Sequence, residues 1–392
     1  MSHVTLNREK PLRQPLILTE EQRMLKEAAL DFFGKKSPVS ALRQLRDTAD
    51  PLGYDPQLWE QMAELGFTAL TIPEAFGGLD FGYVGLGQVL EASGRSLAAT
   101  PLPATVLLGT TALLLAGSQT QKAQYLPVLA GGGKLLTLAL EEGPRHDPLS
   151  TSLTATQKVD GFYLRGQKTF VPDGHVADAI VVVARTAGKA GDVHGLSLFL
   201  VDASSHELKK ERLIMVDSRN MARLNFEEVH TGSESLLGEL HQGHQLLERI
   251  LDIGRIGLAA EMLGSLQEAF ERTLAYLKER KQFGVPIGAF QALQHRVAHV
   301  YCEIELCKSV VLRALQAIDQ QEEGLSLYAS MAKAKVSQVF ERVSNEGIQM
   351  FGGIGMTDDE EIGFFLKRAR VAQHMLGDQR FHLDRIASLK GF

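Results

Sequence analysis

The stretch AYLKERKQFGVPIGAFQALQ, residues 275–294, decides how the rest of the chain is read. Its first part continues a helical pattern and ends in a mainly basic turn, with Lys278, Arg280 and Lys281 around Glu279, as the partial negative charge of a helix C-terminus favours. Gly284 and Pro286 then stop the helix, because glycine enters left-handed backbone freely and proline has no N–H to offer. Helix-end chemistry accounts for the charge and the turn. It does not account for Gln291 and Gln294, three apart on one face of the next helix and flanking apolar positions, since buried amides need partners.

Downstream, NEGIQMFGGIGM, residues 345–356, places Gln349 and the pair Gly352-Gly353 in a loop whose bare backbone can approach a diphosphate or a flat ring closely. From about Gln242 onward the apolar residues recur in long helical blocks, which predicts an antiparallel bundle over 236–392. Upstream, LLTLALEE, GFYLRGQKTFV, ADAIVVVARTA, LSLFLVDA and ARLNFEEV are short runs rich in Val, Leu, Phe and Thr between Gly, Asp and Pro turns. They predict a β domain over 133–235. Residues 1–132 read as a helical domain, broken at PEAFGGLDFG (73–82), where Glu74 reads more readily as a solvated turn residue than as a functional one.

With 392 residues, 44% hydrophobic and 22% charged, the chain can bury a large core in two or three domains. A net charge of -6, with basic residues scattered among acids, disfavours nucleic-acid binding. No run reaches membrane-spanning length, and the polar start MSHVTLNREKPLRQPLILTEEQ has no signal-peptide core, so a cytoplasmic protein is expected. Cys302 and Cys307 have no metal-site or redox spacing; both are expected to be buried, reduced packing residues, and no metal is expected.

Taken in this order, the stretches resemble the acyl-CoA dehydrogenase family over nearly the whole chain. TIPEAFGG (71–78) is similar to the family's PE-x-x-GG signature, RKQFGVPIGAFQALQ to its most specific motif, and QMFGGIGM to its QxxGG flavin loop. The resemblance implies an α+β multidomain fold: an N-terminal helical domain, a middle β-barrel domain and a C-terminal four-helix bundle. It implies FAD held across a subunit interface, with Arg280, Gln282 and Phe283 at its diphosphate and adenosine, Gln291 beside them, and Gln349, Gly352 and Gly353 of a neighbouring subunit closing the site. A guanidinium suits phosphate because its planar donors match the oxygens. In GQKTFVPDG (166–174), which resembles a GQKxWITNG strand, Phe170 stands for the tryptophan that packs on the flavin ring, while Pro172 replaces a threonine.

The family reaction forms a 2,3-double bond in an acyl thioester: a carboxylate removes the proton next to the carbonyl and the flavin accepts hydride from the next carbon. The base commonly lies in a Tyr-Glu-Gly-Thr segment, and here Met375-Leu376-Gly377-Asp378 occupies those places. A minority of relatives carry it on an earlier helix just before an arginine, where this chain has Gly254 before Arg255. Both places lack a carboxylate. Glu261 is seven residues further along that helix, roughly 10 Å away. Asp378 is a weak candidate for the base, since an N-cap role explains it equally well. LEEGPRHD (140–147) departs from the family's TEPxxGSD near the flavin ring. Asp252 and Arg255 match positions that contact the CoA part of the substrate, though an ion pair on the helix surface at three-residue spacing explains them nearly as well.

The resulting expectation is an FAD-dependent acyl-CoA dehydrogenase acting on a bulky, cyclic or steroid-derived acyl chain. It would work as a homotetramer or a heterotetramer with a related subunit and pass electrons to an electron-transfer flavoprotein. Two alternatives remain open: a non-catalytic FAD-binding subunit of a heterotetramer, and a related flavoprotein oxidising a non-thioester substrate.

Overall fold

A computed structural model describes residues 15–392, so the first fourteen residues of the polar start lie outside it. Six helices come first: α1 (Glu20–Lys36), α2 (Val39–Asp47), α3 (Pro56–Glu64), α4 (Gly82–Arg95), α5 (Thr110–Ala116) and α6 (Gln119–Ala130). Their starts are written in short-range chemistry. Thr19 and Gln22 form a reciprocal capping box on α1, Ser118 and Gln121 form another on α6, and Asp55 caps α3 with Pro56 in its first turn.

The strands are β1 (Leu136–Ala139), β2 (Thr154–Lys158), β3 (Gly161–Pro172), β4 (Ala179–Arg185), β5 (Leu196–Asp202), β6 (Leu208–Ile214), β7 (Asn220–Thr231) and β8 (Leu236–Leu237). They pair in the order β6-β7-β3-β2-β4-β5-β8, with β1 parallel to β4. The ends of this path do not pair with each other, so the expected closed barrel is an open eight-stranded sheet among the described residues. β4 is buried along its whole length, and its residues alternate between two cores. Val181 and Val183 face the apolar cluster shared with α5, α6 and the start of the next helix, while Ile180 and Val182 face the cluster inside the β region.

The last part holds α7 (Gly243–Glu279), α8 (Gln291–Asp319), α9 (Leu325–Phe351), α10 (Ile362–His374) and α11 (Gln379–Lys390), with a small hairpin of β9 (Lys281–Gln282) and β10 (Val285–Pro286) between α7 and α8. Five helices thus stand where four were expected, α10 and α11 both packing on α9. The two helical regions share one core, which includes Leu86 and Leu90 of α4 and Ile256 and Leu263 of α7. Glycine permits that union. A Cβ at Gly94 would meet the Glu261 carbonyl at 1.9 Å and one at Gly264 the Glu91 carbonyl at 1.8 Å, so α4 and α7 cross backbone to backbone.

Cys307 is buried as expected, and its thiol is pushed up to about 12 by that burial. Cys302 is exposed, on the outer face of α8. Glu74 is exposed at its turn, and no helix among the described residues is long and apolar enough to cross a membrane.

Candidate functional site

The turn between α10 and α11 is held from three sides. Leu376 lies in left-handed backbone at φ 56°, which costs a residue with a Cβ, and Gly377 follows at φ 103°. The Leu376 carbonyl accepts from Arg255 Nε and from His382 Nε2, both at 3.2 Å. Buried Lys333 donates to the Gln373 and Gly377 carbonyls, each at 3.1 Å. Burial lowers the Lys333 ammonium to about 7, with Arg255 acting in the same sense. Burial first, then Lys333 and Arg255, keeps His382 neutral, at about 2. Asp378 is the N-cap of α11, its Oδ1 accepting from the Phe381 N–H at 2.9 Å.

Leu376 lines a cavity of about 420 Å³ together with Leu108, Leu140, Glu141, His146 and Phe170. Phe170 arrives there through a register shift between Lys168 and Val171 in the pairing of β3 with β7, which leaves Thr169 and Phe170 outside the ladder. Phe170 is left-handed at φ 50°, and the freed Thr169 N–H donates to the Glu141 carbonyl at 2.7 Å. Pro172 also lines the cavity, but its carbonyl is taken by the Thr137 hydroxyl at 2.6 Å.

The segment LEEGPRHD supplies a buried hydrogen-bonded chain. Arg255 Nη2 lies 3.0 Å from His146 Nε2, and His146 Nδ1 lies 2.5 Å from Glu141 Oε1. A guanidinium only donates, so Nε2 accepts and the proton sits on Nδ1, which donates to the Glu141 carboxylate. Next to it, Glu142 pairs with the fully buried Lys168 at 2.7 Å. Glu142 works against its own burial, and the Lys168 ammonium holds its carboxyl below the usual range.

Asp252 and Arg255 are not on the helix surface: both are buried and pair at 2.8 Å. Asp252 also accepts from Arg385 at 2.7 Å and from the Ser326 hydroxyl at 2.6 Å. Neither lines the cavity. Glu261 is buried in a separate cluster with Arg219, Arg368 and Asp217.

The second group of expected residues lies at the far end of α7. Arg280 is the C-cap of that helix, about 26 residues from Gly254, which at 1.5 Å per residue is roughly 39 Å. Arg280, Gln282, Phe283 and Gln291 are all exposed there, Phe283 by 91%. Gln291 and Gln294 are therefore not the buried amides expected; Gln294 donates to the Gly288 carbonyl at 2.9 Å on the surface. Tyr276 stacks on Phe351 at 4.3 Å, so the loop with Gln349, Gly352 and Gly353 reaches the surface at the same end of the same chain. The two motifs, expected from two subunits, are neighbours in one. Gly352 and Gly353 have nothing within 4 Å of where a Cβ would lie. Exposed donors beside open glycine backbone fit a diphosphate, and an apolar cavity against an aromatic ring fits a flavin. Of these residues, sequence reasoning missed Glu141 and His146; in LEEGPRHD the signal was His146 in place of a serine, while Glu141 keeps the glutamate of TEPxxGSD.

An aromatic-walled apolar cavity and a separate exposed cationic motif are the parts of a dinucleotide-dependent oxidoreductase. Three family models match in succession: the acyl-CoA dehydrogenase N-terminal domain at residues 19–133, the middle domain at 139–229 and the C-terminal domain at 241–389. The acyl-CoA dehydrogenase of Bacillus subtilis (strain 168) is 30% identical over 364 residues, 91% of this chain and 94% of its own. Caffeyl-CoA reductase-Etf complex subunit CarC of Acetobacterium woodii is 28% identical over 91% of this chain and 94% of its own. The solved structure of the steroid ACAD Tcur3481–Tcur3483, 30% identical, matches with a TM-score of 0.85 over 95% of this chain and 98% of that one. The chain belongs to the acyl-CoA dehydrogenase family of FAD-binding oxidoreductases acting on CH–CH groups.

Proposed function

We propose that the protein dehydrogenates an acyl-CoA thioester at its 2,3-bond, with a bulky, cyclic or steroid-derived acyl group, as part of a tetramer. One observation carries this reading: Phe170 and Leu376, which the resemblance sets at the flavin ring and at the base position, line one apolar cavity. Leu108, Leu138 and Leu140 give that cavity the apolar wall an acyl chain needs. Bound there, FAD would supply the hydride acceptor. Phe170 would seat the ring, and Arg255 would fix the Leu376 turn from behind, since its donors are taken by Leu376, Asp252, Glu248 and His146.

The separation along α7 supports shared sites. A flavin dinucleotide with its ring in one chain's cavity is too short to reach Arg280 of that chain, roughly 39 Å along the helix. Arg280, Gln282, Phe283, Gln349 and Gly353 would together grip the FAD of a neighbouring subunit. The steroid ACAD relative supports the bulky acyl group, and the relative from an Etf complex supports an electron-transfer flavoprotein as acceptor.

A second reading has its own observation. Leu376 and Gly254, the two base positions, carry no carboxylate, as suits a subunit that binds FAD while a related partner supplies the base. The test is to purify the chain alone and ask which of a panel of acyl-CoAs, steroid side-chain thioesters included, bleaches its flavin. Bleaching by the lone chain supports the enzyme; bleaching only after a related subunit is added supports the second reading; bleaching by none in either state overturns both.

A further inference from the structure

We propose that Glu141 is the carboxylate that takes the substrate proton in this cavity, with His146 and Arg255 as positioning residues; this rests on the acyl-CoA reading above. Glu141 is the one carboxylate among the residues lining the cavity. The other candidates are engaged elsewhere: Asp378 caps α11 and Glu261 is locked between Arg219 and Arg368, and neither lines the cavity. His146 is not free to act as the base, because Nε2 accepts from Arg255 and Nδ1 donates to Glu141.

The same bonds make Glu141 suitable. Arg255 fixes the His146 tautomer, and the Nδ1–H of that tautomer holds Glu141 by Oε1. Glu141 lines the cavity, and its side chain retains 19% of its exposure. Its backbone is tied to Thr169, one residue from Phe170, so the carboxylate belongs to the wall that would seat the flavin ring. Arg255 also donates to the Leu376 carbonyl, so one guanidinium ties the Glu141–His146 pair to the turn where relatives carry their base. In the proposed step the C–H bond next to the thioester carbonyl breaks, its proton goes to Glu141, and its electron pair passes to the thioester as an enolate. The reverse step returns a proton to the same carbon.

That step can be read without dehydrogenation. Phenylacetyl-CoA has an acidic α-CH2 and no hydrogen on the next carbon that can leave as hydride. Incubated with the flavin-loaded protein in D2O, it should take up deuterium at the α-carbon, followed by mass spectrometry. Glu141→Gln should slow uptake by about 100-fold or more, the lower range for a lost general base, and Glu141→Asp should restore part of it. His146→Leu should slow uptake, and His146→Gln, which can still accept from Arg255 and donate to Glu141, should recover most of the loss. In flavin-free protein labelled with ¹⁵N-histidine, His146 should appear as the neutral Nδ1–H tautomer, a signature that Glu141→Gln weakens.

Equal uptake by wild type and Glu141→Gln overturns the proposal, as does a wild type that exchanges no faster than buffer. If saturated acyl-CoAs still bleach the flavin in either case, the acyl-CoA reading stands and only Glu141 falls. If no acyl-CoA bleaches or perturbs the flavin absorbance, the underlying reading falls and takes the proposal with it.

Discussion

A Cβ built on Gly254 would lie 3.1 Å from Leu376 Cδ1. The two positions at which the family's resemblance places a base, 122 residues apart in the chain, are therefore one place in space, filled here by a leucine. The same Cβ would meet Leu108 Cδ2 at 2.6 Å, so Gly254 also makes room for an apolar wall. Leu376 itself lies against both the shared helical core and the cluster of α5, α6 and the sheet.

In a Glu141→Gln background, where no other carboxylate among the described residues lines the cavity, Leu376→Glu should place one there and raise the rate at which a simple acyl-CoA bleaches the flavin, by about 10²–10⁴-fold for a well-placed base. Gly254→Glu should need Leu108 and Leu376 to shift, at a cost of about 1–3 kcal/mol in stability. Pairing it with Leu376→Ala should recover part of that loss. Stopped-flow bleaching and thermal melts of the three variants check both halves, and a rate in folded Glu141→Gln/Leu376→Glu no higher than in Glu141→Gln alone would contradict the placement of the cavity.

Arg280→Ala should weaken FAD binding by roughly 2 kcal/mol, about 30-fold in Kd, as expected for a lost charge-assisted phosphate contact. Because Arg280 is exposed and roughly 39 Å along α7 from the cavity, the folded stability of the flavin-free protein should hardly move. Flavin titration beside a melt of the stripped protein separates the two effects.

Phe283 is 91% exposed at the tip of the β9–β10 hairpin, with Phe290 edge-on to it at 6.2 Å. Phe283→Asp should reduce the assembly mass by light scattering and release FAD together, because the proposed sites are completed by a neighbouring chain. A flavin-loaded monomer, in wild type or variant, would refute the shared site.

How much of this was legible in the sequence follows from which contacts are local. Helix starts at Thr19, Asp55 and Ser118 are written within three residues, and the long apolar periods of α7, α8 and α9 need no distant partner. β2 and β6 were missed because TATQK and LKKERLI are mostly exposed and carry no apolar alternation. A sheet's closure depends on which of its edges pair, and nothing within a strand encodes that. The place of Leu376 was readable from a motif. The Glu141–His146–Arg255 chain was not, since its last link joins residues 109 apart that no local pattern relates. The burial of Asp252 and Arg255 escaped for a similar reason: i,i+3 spacing is the same on a surface as under a neighbouring helix.

Asp173 gives a prediction about pH. It lies in left-handed backbone after β3, at φ 51°, and its carboxyl is raised to about 7, first by burial and then by Glu261, against the pull of Asn220, Arg219 and Arg212. A carboxyl whose folded pKa exceeds its unfolded value of 3.8 binds a proton on folding between the two. Its contribution to stability therefore falls as pH rises from about 4 to about 7, by about 1.4 kcal/mol for each tenfold drop in proton concentration, and stays lost above that. Asp173→Asn keeps the shape, tolerates the left-handed backbone and cannot ionise. The variant should match wild type near pH 4 and exceed it by a few kcal/mol at pH 8. Urea titrations of both proteins across that range would show the gap opening with pH, and parallel curves would mean that Asp173 is charged in the folded protein throughout, held so by the arginines beside it.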